Sequence, residues 1–430
     1  MSNMTFMEKL LDGVEVEWKA LGDVSEFKNG FAFKSSLFKE IGLPIIRITN
    51  VDGKTVNLSD VKYFDPADYN IGNPLNYSII NGDVLIAMSG ATTGKIGYFN
   101  SSETAYLNQR VGKFEPKSEM LNNRYLYHFL LTKADFLYVL AGGGAQPNLS
   151  SNKLKEKLLI PIPCPDNPEK SLDIQSEIVR ILDTFTELTT ELTTELTTEL
   201  TARKKQYIYY RDQLLSFEEG EVEWKALGEI GELVRGNGLP KKDFTETGVP
   251  AIHYGQIYTY YGLSTKSTIS FVSPNTAQKL KKVNFGDVII TNTSENFEDV
   301  GKALVYLGEV QAVTGGHATI FKPCRKVLGK YFAYFTQTAT FDKSKRKYAK
   351  GAKVIDVSAN DMAKIQIPIP HPNDPQKSLA EQERIVSILD KFDTLTHSIS
   401  EGLPREIELR KKQYEYYRDL LLSFPKPETV

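Results

Sequence analysis

Apolar residues in this 430-residue chain recur with two different periods. Leu172, Ile178, Ile181, Leu182 and Phe185 fall at three- and four-residue steps, and Leu379, Ile385, Ile388, Leu389 and Phe392 repeat them. That spacing predicts two amphipathic helices. The first runs into TELTTELTTELTTELT, residues 186–201, where Leu188, Leu192, Leu196 and Leu200 recur every fourth residue. Eight of these sixteen residues are Thr, each roughly 0.6 kcal/mol less favourable than Ala in a helix, so about 5 kcal/mol opposes an isolated helix here. The run is helical only if its leucines find a partner. At an offset of 207 they align with Leu395, Ile399, Leu403 and Ile407. Equal length and kept apolar spacing predict two packed helices. A flexible linker would carry Gly, Ser or Pro, and residues 186–201 contain none. Gly402 and Pro404 predict a kink or restart in the second helix. From Leu172 to Ser216 the first helix would span about 68 Å at 1.5 Å per residue.

Shorter apolar runs bounded by turn residues predict strands. In the first half these are PIIRITNV, GDVLIAMSG, KIGYF and RVGKFEP, followed by a helix over RYLYHFLLTKADFLYVL and a return strand LLIPIP. In the second half VPAIHYGQIY, GDVIITNTS, KALVYL and ATIFKP are the matching strands, and KYFAYFTQTATF the helix.

The two halves are copies of one plan. RKKQYIYYRDQLLSF (203–217) and RKKQYEYYRDLLLSF (410–424) share thirteen of fifteen residues. Residues 160–185 match 367–392 at sixteen of twenty-six positions, and VEWKALG stands at both 16–22 and 222–228. The stretches between share length and order of elements but scarcely any identity. The expected fold is therefore mixed α+β with an internal pseudo-twofold repeat. Residues 23–157 and 229–364 are two globular domains, separated by two long antiparallel helices that form a coiled-coil spacer. Residues 1–22, 158–228 and 365–430 are the repeated frame.

Composition narrows the class. With 41% hydrophobic and 25% charged residues the chain reads as globular. The N-terminus has neither the charged nor the apolar region of a secretory signal, and no apolar run suits a membrane span. Cys164 and Cys324 occupy unrelated places in the two repeats, so a reducing cytoplasm is expected. The net charge of −2 decides nothing about nucleic acid, because a local basic face can coexist with a neutral total.

Catalytic patterns are missing. GATTGK, residues 90–95, has three residues between its glycines and Ile96 where a phosphate loop needs Ser or Thr. The histidines 128, 253, 317, 371 and 397 have no metal-ligand spacing. The Gly-rich cofactor turn and paired-proline loop of a DNA methyltransferase are absent, since Asn73-Pro74-Leu75 lacks the second proline and the aromatic. Binding features are better represented. KSKRKYAKGAK, residues 343–353, holds six basic and no acidic side chains, a pattern that suits phosphates as well as a solvated face. Asn108-Gln109-Arg110 either closes a turn or reads bases, since Asn and Gln match adenine edges and Arg matches guanine. Tyr207, Tyr210, Leu214 and Phe217, with Tyr414, Tyr417, Leu421 and Phe424, fit helix packing better than base stacking.

On the duplicated IPIP blocks with Gln175-Ser176-Glu177-Ile178-Val179 and Gln382-Glu383-Arg384-Ile385-Val386, the paired QYxYYRDxLLSF helix ends and the returning EWKALG, the chain resembles the specificity subunit of type I restriction-modification enzymes over essentially its whole length. TELT is similar to the Thr-Ala-Glu-Leu repeats of one branch, with Glu-Leu kept and Ala replaced by Thr. The resemblance implies a non-catalytic reader of double-stranded DNA with two target-recognition domains, each reading half of a bipartite, asymmetric target. It implies that the chain binds no cofactor of its own. Two modification subunits carrying S-adenosylmethionine would dock on the repeated helices, and restriction subunits would bring ATP and Mg. The helix would then be a spacer on the scale of two turns of duplex. The family's Ser-Gly-x-Thr-x-Gly-Lys-x-Gly turn falls on Ser89–Gly97, where Thr92 and Thr93 both stand near the expected Thr, and Thr293-Ser294-Glu295-Asn296 departs from it. The expected DNA contacts are Arg47, Asn50, Ser89, Thr92, Thr93, Lys95, Asn108, Gln109, Arg110, Gln146 and Asn148 in the first domain. In the second they are His253, Tyr254, Gln256, Asn292, Thr293, Ser294, His317, Lys345, Arg346, Lys347, Lys350 and Lys353. A non-enzymatic scaffold binding peptides through its two unlike domains is the alternative, and a steep salt dependence of DNA affinity would separate the two.

Overall fold

The computed structural model describes residues 11, 13–143, 147–218, 220–397 and 401–424. Two units divide the chain: residues 1–192 with 410–430, and residues 193–409.

In the first unit the strand Val16–Ala20 pairs antiparallel with Leu159–Pro163. A four-stranded sheet runs Ser25–Asn29, Val111–Pro116, Val84–Ala87, Ile96–Tyr98. A second runs Lys62–Phe64, Leu43–Ile46, Ala105–Leu107, Ser78–Ile79, with Ile45 and Tyr106 in parallel register. The central strand reads VLIA without alternation because both its faces are covered. Val84 and Ile86 enter one core with the helix Asn123–Leu131, while Leu85 and Ala87 enter another with Ile46 and Leu107. Ile174, Ile178 and Leu182 of the long helix and Leu421, Leu422 and Phe424 close the first of these cores.

The second unit repeats the plan without repeating the residues. Val222–Ala226 pairs with Gln366–Pro370 in the same register. One sheet runs Gly231–Arg235, Ala318–Pro323, Val288–Thr291, Ala303–Tyr306, with Ser264–Thr265 added at its edge. The other runs Phe244–Thr245, Ser270–Val272, Val249–Ile252, Ala312–Thr314, Lys281–Val283, again with one parallel pair. Expected elements differ in several places. RYLYHFLLTKADFLYVL and KYFAYFTQTATF, each expected as one helix, break into Asn123–Leu131 with Ala134–Leu140 and into Gly329–Phe335 with the start of Ala339–Tyr348. VPAIHYGQIY leaves the strand at His253 and becomes the helix Tyr254–Thr259, whose start Gln256 caps by accepting from the His253 N–H at 3.1 Å. The basic run is itself largely helical, in Ala339–Tyr348, so side chains three and four apart turn toward the core.

Buried polar residues hold the frame. Gln175, wholly buried, accepts from the Asn122 N–H at 2.8 Å and donates to Met120 O and Ser171 Oγ. Gln382 does the same with Leu328, Lys326 and Ser378. Tyr125 and Tyr331 each donate to the carbonyl of the first proline in the return strand, Pro161 and Pro368. Asp183 takes Arg124 and His128, both at 2.8 Å, where Asp390 takes Lys330 and Tyr334, both at 2.7 Å. Cys164 and His371, 207 residues apart, both adopt φ near +50° just after the return strand (50° and 47°). That left-handed conformation is strained for a residue with a Cβ, and both repeats keep it.

The long helix spans Pro168–Leu214. Its threonines satisfy their hydroxyls by donating to the carbonyl four residues back, as Thr186 does to Leu182 and Thr190 to Thr186, both at 2.7 Å, a bond that does not itself favour the helix. The second helix stops at His397 and restarts at Gly402 with φ +80°. A Cβ at Gly402 would lie 2.4 Å from Thr394 O, so only glycine fits. Aromatic pairs join the antiparallel helices. Phe185 stacks on Tyr417 at 5.6 Å and 4°, and Tyr210 on Phe392 at 5.6 Å and 25°. The expected leucine seam is thereby corrected in part. Leu192, Leu196, Leu200, Leu395, Leu403 and Ile407 are half-buried, but Leu188 is 48% exposed, because Thr186 rather than Leu188 faces Tyr414, with hydroxyls 3.0 Å apart. Ile399 lies outside the described residues. Among the described residues no helix is long and apolar enough to cross a membrane.

Candidate nucleic-acid interface

Three strand ends meet in the first unit. After Leu43–Ile46 the carbonyl of Ile46 accepts from Asn108 N; after Val84–Ala87 the N–H of Met88 donates to Arg110 O and its carbonyl accepts from Leu149 N. Ser89 bridges Asn148. The Thr92 hydroxyl donates to Ile48 O at 3.0 Å. Arg47, Ser89, Thr92, Lys95, Asn108, Gln109, Arg110 and Asn148 are thus brought to one end of the two sheets. Lys95, Gln109, Arg110 and Asn148 are exposed there, and Arg47 and Thr92 half-exposed.

The second unit builds the same end with other side chains. Asn292 N donates to His317 O where Met88 donates to Arg110, and Val357 N to Asn292 O where Leu149 donates to Met88. Thr293 pairs with Asp356 as Ser89 bridges Asn148. Gln256 caps His253 N as Asn50 caps Arg47 N at 2.9 Å. Gly301 donates to Thr291 O as Gly94 does to Ala87 O, at φ values of +80° and +83°. Positions therefore correspond: Arg47 with His253, Asn50 with Gln256, Ser89 with Thr293, Arg110 with His317, Lys95 with Lys302. His253, Tyr254, Gln256, Thr293, Ser294 and His317 line one cleft of about 950 Å³. Thr293 Oγ1 meets His317 Nδ1 at 2.9 Å, and Tyr254 lies between the two imidazoles at 4.5 and 4.8 Å. Burial pushes the His253 pKa below its usual value, and Lys241 and His317 push the same way. Burial raises the Tyr258 phenol to about 12, and its hydroxyl donates to Thr293 O.

Several expected contacts point inward instead. Asn50 is buried, donating to Asn57 O and Asp60 O. Thr93 is buried and closes its turn by donating to Gly90 O at 2.6 Å and Pro147 O at 3.1 Å. Asn108 closes the next turn, accepting from Arg110 N. Asn292 is wholly buried, with neither amide atom paired. Lys345, expected on phosphate, is 5% exposed and donates to Phe297 O and Val300 O, both at 2.7 Å. Arg346 is held by Asp342 at 2.7 Å and Lys350 by Asp361 at 3.1 Å. Lys347 and Lys353 are exposed on the run. Gln146 lies outside the described residues. Among the described residues no group of three or more His, Cys, Asp or Glu could hold a metal.

Three residues at the second site escaped the sequence reading. Lys241 lines the cleft. Arg235 reaches Gly316 O and Asp356 Oδ2, both at 3.4 Å. Lys302 is exposed at the counterpart of Lys95. The Gly-Lys pair at 301–302 was a readable signal for the last. It was hidden because the loop from Ser294 to Lys302 is three residues longer than that from Gly90 to Lys95.

Comparison with known proteins agrees with this duplication. The family model of the type I restriction modification DNA specificity domain matches residues 13–202 and again 219–409. The specificity subunit of the EcoR124I/EcoR124II type I restriction enzyme from Escherichia coli is 40% identical over 100% of both chains. A putative type I restriction enzyme specificity subunit from Haemophilus influenzae is 35% identical, covering 98% of this chain and 99% of its own. A chain in a solved structure concerned with assembly and conformational transition of a type I restriction-modification system superposes with a TM-score of 0.63 at 16% identity, covering 95% and 97%.

Proposed function

Since the chain belongs to the specificity-subunit family of type I restriction-modification systems and serves in DNA recognition, we propose that its two units read two unlike half-sites of one bipartite target. The observation that carries this reading is the correspondence of strand ends. The same backbone positions present Arg47, Lys95, Gln109 and Arg110 in one unit and His253, Lys302 and His317 in the other. An identical pair on this repeat would suit a palindrome, whereas an unlike pair suits an asymmetric site. Arginine in the first unit favours guanine, with Gln109 beside it suited to adenine. Imidazoles and hydroxyls in the second make weaker, donor-or-acceptor contacts.

The chain is proposed to do no chemistry and to bind no cofactor. Modification subunits that carry S-adenosylmethionine dock on the repeated helices, and restriction subunits that use ATP and Mg complete the complex, in a cytoplasmic setting. The long helix is proposed as the spacer. Removing Thr190 to Thr193 shortens it by about 6 Å and is expected to shorten the unread gap by one or two base pairs. The test of the whole reading is to map methylated sites in a random DNA library treated with this chain plus modification subunits. Two fixed, unlike half-sites around a fixed gap are expected. A single or palindromic site, or methylation by the chain alone, contradicts it. The scaffold alternative has the weaker support, since the family match covers both halves of the chain.

A further inference from the structure

The loop from Ser294 to Lys302 supplies much of the second cleft: Ser294, Glu295, Asn296 and Asp299 all line it. Its ends are fixed by the pairing of Ser294 with Ile355 and by Gly301 N donating to Thr291 O, and its middle by the Asn296 amide on Asp299 and Thr291 Oγ1 donating to Asp299 O at 2.6 Å. The shorter loop of the first unit is tied by the Thr92 and Thr93 hydroxyls, and a Cβ on its Gly94 would meet Leu137 at 3.2 Å. In the second unit the corresponding Gly301 sits over Lys345, whose Cδ would lie 3.2 Å from such a Cβ. The Lys345 ammonium, almost wholly buried, reaches past it and donates to Phe297 O and Val300 O, with Asp342 as counter-ion at 3.1 Å. Arg346, next on the same helix, covers the Phe297 ring at 4.4 Å.

We infer that Lys345 is a positioning residue for specificity: its buried ammonium clamps the Ser294–Lys302 loop and so sets which bases the second half-site accepts, without touching DNA. This rests on the proposed reading that the second cleft faces DNA. A buried ammonium is well suited to the task, because three donors in fixed directions can hold carbonyls several residues apart, and charge-assisted bonds in a water-poor site are stronger than hydroxyl ones. Removing it leaves the Phe297 and Val300 carbonyls without their donor, while Asp342 keeps Arg346 at 2.7 Å, and the lost donor favours a rearranged loop.

The experiment uses the full chain with its modification subunits, assayed on a randomised DNA library at several salt concentrations. Lys345→Met is expected to lower discrimination at second half-site positions about tenfold, the scale of one lost base contact. It is expected to leave the first half-site and the salt slope of binding unchanged. Lys345→Arg restores part of the discrimination. Phe297→Ala, which loosens the same loop while keeping the Lys345 ammonium and both its carbonyl acceptors, shifts the same half-site more weakly and guards against a Lys345→Met chain that fails to fold. His317→Ala separates the two ideas. If it alters the second half-site while Lys345→Met and Phe297→Ala do not, the clamp is overturned and the reading stands. If His317→Ala also changes nothing, the cleft does not read DNA. A reduced salt slope in Lys345→Met, or a uniform loss at both half-sites, also overturns the clamp, the first by making it a phosphate contact and the second by making it merely structural.

Discussion

The first and second units share a strand order, a register and a capping pattern, yet nearly every side chain at their exposed ends differs. Arg47 and Arg110 stand where His253 and His317 stand; a six-residue loop closed by threonine hydroxyls stands where a nine-residue loop is held by Lys345. The difference teaches where each kind of information is stored. The frame repeats residue by residue because its polar groups are buried and must be satisfied. The ends are free to diverge because exposed side chains pay little in stability for substitution.

The largest expected effect breaks the frame. Gln175→Leu leaves the Asn122 N–H and Met120 C=O without their partner, and Gln382→Leu does the same to Leu328 and Lys326. Each should cost about 2 to 3 kcal/mol. The units need not unfold together, so hydrogen exchange of the Val16–Ala20 and Val222–Ala226 strand pairs is the suitable measure. Equal losses are expected, each confined to its own unit. A difference well above the roughly 0.5 kcal/mol scatter of independent sites would mean the two frames are not equivalent.

The ends should behave in the opposite way, with each change felt at one half-site. Arg110→Ala is expected to relax one position of the first half-site by about 1 to 3 kcal/mol, and His317→Ala one position of the second by about 1 kcal/mol, since a single imidazole cannot make a bidentate pair. Site mapping with each variant checks this. Relaxation at both half-sites by either variant would undo the correspondence drawn between them.

A smaller asymmetry lies under the helices. His128, wholly buried, has its pKa pushed down by burial, which outweighs the carboxylate of Asp183; Arg124 and Arg418 add to the lowering. Burial tends to raise Asp183, but His128 and Arg124 hold it below its usual value. A base with a lowered folded pKa binds fewer protons folded than unfolded, so stability falls as pH drops below the unfolded value of about 6.5. The equivalent place in the second unit holds Lys330 and Tyr334 on Asp390, where burial and the Asp390 carboxylate push the Tyr334 phenol up and no imidazole takes part. Protection factors, which divide out the intrinsic pH dependence of amide exchange, should therefore fall between pH 7.5 and 5.5 more in Asn123–Leu131 than in Gly329–Phe335. His128→Gln should remove the excess. An equal fall in both helices would place the sensitivity elsewhere.

The frame was legible because repetition prints it twice: the helix over residues 168–214, the return strands and the tyrosine contacts all follow from residues shared at one offset. The sheet order was not legible, since its registers depend on pairings between segments far apart in sequence. At the interface, residue type drew in side chains that the fold brings to one end of the sheets, but type cannot say which way a side chain points. Asn50, Thr93 and Asn108 look like base readers and instead tie turns. Lys345 looked like part of a solvated run because the helix over Ala339–Tyr348 was not foreseen, and helical phase alone turns one lysine inward while Lys347 stays out. Lys302 was missed because a longer loop removed the motif and left its last two residues.

The loop lysines offer the finest test of the correspondence. If Lys95 and Lys302 both meet phosphate, replacing either with Ala should lower the slope of log affinity against log salt by up to about 0.9, the value for one released counterion. The effects should not be equal. Lys302 is already drawn to Asp299 at 3.4 Å, and an ammonium shared with a carboxylate neutralises less of a phosphate. Lys95 has Asp52 within electrostatic range, lowering that carboxyl after the stronger backbone and Thr55 bonds. The expected order is a larger change for Lys95→Ala, a smaller one for Lys302→Ala, and half-site preferences unchanged in both. Asp299→Asn should then raise the Lys302 contribution toward that of Lys95, although it also disturbs the loop through Asn296. Salt titrations on a fixed target measure all three. If Lys302→Ala leaves the slope untouched while Lys95→Ala lowers it, the two loops share a backbone geometry but not a contact, and the likeness between the readers stops at the glycine.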